Sequence, residues 1–65
     1  MIIHDKQTNQ YYEDEIELIE SLKKNLKNKL QTGNFFVCKI VNGRLVDDRP
    51  LNNEDIEIII EVAAE

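Results

Sequence analysis

The sequence predicts an α+β domain in which a mixed sheet of four or five strands carries one helix on one face. Three observations lead there. Asn42-Gly43 sits between two apolar runs, residues Asp14 to Leu30 show helical periodicity, and Ile56 to Val62 alternates with period two. The stretch from Asn34 to Ala63 holds nearly all of the strand signal, so the rest of the chain is organised around it.

An Asn-Gly pair accepts the positive φ angles of a two-residue type I′ turn, so Phe35 to Val41 should fold back on Arg44 to Val46. The short loop sets the register: Val41 opposes Arg44, Ile40 opposes Leu45 and Lys39 opposes Val46. Phe36, Cys38, Ile40 and Leu45 then share the more apolar face, which is expected to be the core face. In the last run Ile56, Ile58, Ile60 and Val62 fall on one side, with Glu57, Ile59 and Glu61 on the other, as in a strand covered on one side only. This strand is expected beside the first strand, parallel to it, at the centre of the sheet.

Met1 to His4 and Thr8 to Tyr12, separated by Asp5-Lys6-Gln7, read as an N-terminal hairpin. Asp14 is placed to cap a helix, with Glu17 three residues on, and Ile16, Ile19, Leu22, Leu26 and Leu30 recur at helical spacing, so one helix is expected from Asp14 to Leu30, ended by Gly33. Glu15, Glu17 and Glu20 lie early in it and Lys23, Lys24, Lys27 and Lys29 late, the sense that complements the helix dipole. Asp47 to Asp55, with the only proline, is expected to cross over as a loop anchored by Leu51. The expected core is Ile19, Leu22, Leu26, Phe36, Ile40, Leu45, Leu51, Ile58 and Ile60.

Sixty-five residues allow a single domain, residues 1–65, with a small core. A net charge of −5 and a pI near 4.7 would repel a phosphate backbone, so nucleic acid is not an expected partner. One cysteine closes no internal disulfide, and no run is long and apolar enough to span a bilayer, so a cytoplasmic protein without a membrane partner is expected. No chemistry-bearing constellation is complete. Cys38 has no base beside it and His4 no metal partner at ligand spacing, while Asp47-Asp48 and Glu54-Asp55 read as turn builders. No enzyme activity, metal or cofactor is expected.

Val41-Asn-Gly-Arg-Leu-Val46, then Pro50-Leu51, a polar turn ending in Asp55, and Ile-Glu-Ile-Ile-Ile-Glu-Val-Ala over Ile56 to Ala63 resemble the C-terminal half of the β-grasp (ubiquitin-like) sulfur-carrier proteins of thiamine and molybdopterin synthesis. The related TGS domains share the pattern. The resemblance covers about the last 30 residues and implies a β-grasp fold whose open sheet face docks partner enzymes. Two positions depart from the family: Glu54 stands where a glycine precedes the last-turn aspartate, and the chain ends Ala64-Glu65 where the carriers end Gly-Gly. Two functions compete on this basis. One is a non-catalytic interaction module binding a protein partner, such as an adenylating or sulfur-transfer enzyme, through Phe35, Val37, Val41, Val46 and Ile59 on the face away from the expected core. The other is an atypical sulfur carrier activated at its tail, Ala63, Ala64 and Glu65. The first is preferred, because side chains at Ala64 and Glu65 obstruct the close backbone approach that tail activation needs.

Overall fold

The computed structural model describes residues 1–65. In chain order the elements are β1 (Ile3–Asp5), β2 (Gln10–Tyr12), α1 (Glu15–Leu22), α2 (Leu26–Leu30), β3 (Phe35–Val41), β4 (Arg44–Pro50) and α3 (Asn53–Ala64). They form an α+β fold built on a four-stranded sheet of order β2-β1-β3-β4. Every strand pair is antiparallel.

The Asn42-Gly43 hairpin has the expected register, with Val41, Ile40 and Lys39 opposite Arg44, Leu45 and Val46. Asn42 and Gly43 supply the two positive φ angles, 51° and 76°, that the turn requires. β4 runs on through Asp47 to Pro50, four residues that the sequence reading assigned to a loop. It does so through a bulge: Cys38 pairs with Asp47 but Val37 pairs with Arg49, leaving Asp48 as the extra residue. In a regular strand Asp47 and Arg49 would point the same way. The bulge sends them to opposite faces of the sheet, and both become anchors.

The largest correction concerns the final run. Ile56 to Val62 lies within a helix, so no strand pairs in parallel with β1 and the sheet is antiparallel rather than mixed. The alternation was real but competed with a second period: Ile56, Ile59, Ile60 and Ala63 follow i, i+3, i+4, i+7. The capping box decides between them. The Asn52 side chain accepts from the Asp55 N–H at 2.9 Å, and the Asp55 carboxylate accepts from the Asn52 N–H at 3.0 Å. With the helix started there, Ile56 and Ile59 turn inward and are buried.

The single helix expected from Asp14 to Leu30 is two helices. Its start is as expected, with Asp14 accepting from the Glu17 N–H at 2.8 Å. The break falls at Lys23 and Asn25, both with positive φ (68° and 59°). The Lys23 N–H closes α1 on the Ile19 carbonyl. The lysines therefore do not crowd the last turn of one long helix: Lys23 and Lys24 follow α1, while Lys27 and Lys29 belong to α2.

The core cluster joins Ile3, Tyr12 and Phe35 of the sheet to Leu18, Leu30, Ile56 and Ile59 of the three helices. Ile3 pairs with Tyr12 and Val37, and Asp5 with Phe35, so these side chains share one face, and the helices cover it. This inverts the face assigned to β3 from sequence. Phe35 is 5% exposed, whereas Ile40 is 65% exposed and Leu45 is also exposed. Of the expected core, Ile19, Leu22, Leu26, Leu51 and Ile60 pack against the cluster, while Ile58 faces solvent.

Candidate functional site

The antiparallel register builds a second, helix-free face. His4 pairs with Tyr11 on one side and Phe36 on the other, so the three project together, with Cys38, Ile40, Leu45 and Asp47 continuing the same face along the outer strands. Tyr11, Ile40 and Leu45 are exposed. With Ile2 they line a groove of about 560 Å³, and Glu13 and Glu17 stand on its rim.

Beside the groove lies a polar network centred on His4. Its ring stacks on Tyr11 with centroids 4.0 Å apart and planes 4° from parallel. His4 Nδ1 is 2.9 Å from Asp47 Oδ1, and Nε2 is 2.8 Å from Asn9 Oδ1. The other Asp47 oxygen meets Lys6 Nζ at 3.3 Å, and Lys6 also lies over the Phe36 ring, 4.2 Å from its centroid. The Cys38 thiol donates to Asp47 Oδ1 at 3.6 Å. Burial, then the hydrogen bond to Asp47 and its negative charge, push that thiol up, the opposite of what a nucleophile needs. No group of three or more His, Cys, Asp and Glu side chains is arranged to hold a metal ion.

Burial raises the Asp47 carboxyl, but hydrogen bonds from His4 and Lys6 outweigh this and hold it below the usual carboxylate range. On the other face, the hydrogen bond from Arg49 outweighs burial and, with the Asn52 N–H, holds Asp55 low as well. A carboxyl depressed in the folded state contributes stability that is fully present above its unfolded value of about 3.9 and is lost as pH falls through its folded value. Urea denaturation should therefore show stability that these two groups leave level between about pH 5 and 7 and reduce below about pH 4. Asp55→Asn should flatten part of that acid limb; an unchanged limb would mean that Arg49 does not hold the carboxylate as described.

The five face residues expected from sequence are dispersed. Phe35 and Ile59 are in the core, Val37 and Val46 are half-buried on the helix side, and Val41 is exposed near the hairpin tip on that same side. The face that is open is the one that had been assigned to the core. Ile2, Tyr11 and Asp47 were missed, although the register fixed by Asn42-Gly43 carried the signal for Ile40 and Leu45. The tail residues Ala63 and Ala64 form the last turn of α3, and Glu65 caps it.

The class of protein that fold and face define is a small α+β domain with an uncovered, apolar sheet surface and no helix long and apolar enough to cross a membrane. No protein-family model, curated protein or solved structure matches this chain.

Proposed function

We propose that this chain is a non-catalytic protein-interaction module whose helix-free sheet face docks a segment of a partner protein, presenting an apolar side chain beside a basic one. The observation that carries this reading is the groove bounded by Ile2, Tyr11, Ile40 and Leu45, apolar at its centre and acidic at its Glu13 and Glu17 rim, on a chain of net charge −5. An apolar anchor would fill the groove, and a lysine or arginine next to it would meet the rim. The resemblance to the sulfur carriers adds the kind of partner, a cytoplasmic adenylating or sulfur-transfer enzyme. Kinship with the β-grasp family is proposed in a form in which α3 has taken the place of the C-terminal strand.

The test is a titration of the isotope-labelled chain with two short peptides, one alternating leucine with lysine and the other leucine with glutamate, followed by NMR. The lysine peptide should shift the amides around Tyr11, Ile40 and Leu45 and bind at least about tenfold more tightly than its acidic counterpart. Ile40→Asp should abolish the shifts while leaving the fold intact, since Ile40 is largely exposed. Equal binding of the two peptides, or binding that survives Ile40→Asp, would overturn the proposal.

The competing proposal is an atypical sulfur carrier. It requires the last turn of α3 to unwind so that Ala64 and Glu65 can enter an activating enzyme. A gain of one sulfur for one oxygen at the C-terminus, seen by mass spectrometry after incubation with ATP, a sulfur source and an adenylating enzyme, would establish it.

A further inference from the structure

We infer that His4 and Asn9 form a proton-reading pair, in which the Asn9 amide turns over as the imidazole loses its second proton. His4 is 7% exposed, and each ring nitrogen has one partner, an oxygen: Asp47 Oδ1 at Nδ1 and Asn9 Oδ1 at Nε2. Carboxylate and amide oxygens only accept, so whenever Asn9 presents Oδ1 to Nε2 the ring must carry N–H at both nitrogens, as in the imidazolium. When the ring is neutral it has a single N–H. Asp47 cannot become a donor while ionised, and it is held in place by Lys6 and by the Cys38 thiol. The remaining proton therefore stays on Nδ1, and Nε2 becomes an acceptor. Asn9 can answer by a half-turn of its amide that presents Nδ2 where Oδ1 had been, a change with almost no steric cost.

Its backbone suits the role. Asn9 sits exposed at the end of the β1–β2 turn with φ of 60°, a conformation asparagine adopts more readily than most residues, so the side chain can rotate without disturbing the hairpin. Every charged or titratable group in contact with the ring and its two partners comes from the sheet and its turn. Asp47 is on β4, Lys6 in the turn, the Cys38 thiol on β3, and the Tyr11 ring stacks from β2. The helices lie across the sheet on the opposite face. The consequence is a change of one unit of charge next to the groove, reported by the orientation of one amide. The inference concerns the intact fold alone and stands whether or not the groove binds a partner.

Heteronuclear NMR of the full chain between pH 5 and 8 tests it, because the imidazolium and the two neutral tautomers have distinct ring-nitrogen shifts. At the acid end both His4 nitrogens should be protonated; at the alkaline end the proton should remain on Nδ1, and the Asn9 side-chain NH₂ resonances should move with the same midpoint. Asn9→Asp replaces the turning amide by a carboxylate that can only accept, so its His4 midpoint should lie about one pH unit or more above that of the wild type, a tenfold gain in proton affinity. A neutral ring protonated on Nε2, an Asn9 amide that does not respond, or an Asn9→Asp midpoint equal to the wild type would each overturn the inference. Should Asn9→Asp not fold, the two wild-type readings decide.

Discussion

Truncating Ile59 to alanine should cost about 2–5 kcal/mol, the range for removing a fully buried aliphatic side chain from a core that cannot close around the gap. Ile59 is 0% exposed and belongs to the cluster that joins α3 to Ile3, Phe35 and Leu18. Its neighbour Ile58 is 47% exposed, and its truncation should cost less than about 1 kcal/mol. A domain of this length has roughly 3–10 kcal/mol of stability in total, so the first substitution threatens folding and the second does not. Chemical denaturation of both variants measures the difference. A larger loss at Ile58 than at Ile59 would mean that the final run is not packed as a helix, because in a strand covered on the Ile58 side the two would exchange places.

The second large effect is expected at Asp55, where three jobs meet in one buried residue, two of them on its carboxylate. It receives the Asn52 N–H, it presents its own N–H to the Asn52 side chain, and it takes both guanidinium branches of Arg49. Asp55→Ala should remove the reach-back half of the capping box and leave the Asn52 N–H without its partner, at a cost of about 2 kcal/mol or more. Arg49 loses its tie from β4 to α3 at the same time, and its half-exposed side chain can rehydrate. Asn52→Ala, which removes only the side-chain cap, should cost about 1 kcal/mol. A thermal or denaturant midpoint for Asp55→Ala no lower than that for Asn52→Ala would show that the Arg49 pair and the reach-back bond together contribute no more than the Asn52 side-chain cap.

The parts of the fold that were legible in the sequence are those governed by local chemistry. Asn42-Gly43 specified a turn that almost no other residue pair would adopt, and the register followed from it without knowledge of the rest of the chain. Asp14 and Glu17 marked a helix start for the same reason. The parts that were not legible depend on which of two nearly equal patterns the tertiary structure selects. Phe35-Phe36-Val37-Cys38 is apolar on both faces of the strand, so alternation alone could not say which face the helices would cover. Ile56 to Ala63 satisfies period two and helical spacing together, and isoleucine favours strands, so only the Asn52 to Asp55 cap pointed the other way. The open face was misassigned as a direct result. Asp47 and Arg49 were illegible for another reason, since their opposite orientations come from a bulge that no single residue announces.

The double reading of the final run also bears on how this protein fails. Released from its cap, Ile-Glu-Ile-Ile-Ile-Glu-Val is a short, strongly strand-prone segment of the kind that stacks into cross-β assemblies. In the native helix Ile56 and Ile59 are buried, and Glu57 and Glu61 are exposed as like charges that oppose stacking between chains. Acid acts on both safeguards together. Protonating Asp55 loosens the start of the helix and its tie to Arg49, while protonating Glu57 and Glu61 removes the repulsion. The N-terminal turn of α3 is thus where acid would weaken the native helix, through Asp55, while Glu57 and Glu61, further along the same helix, lose the charge that opposes stacking of its released form.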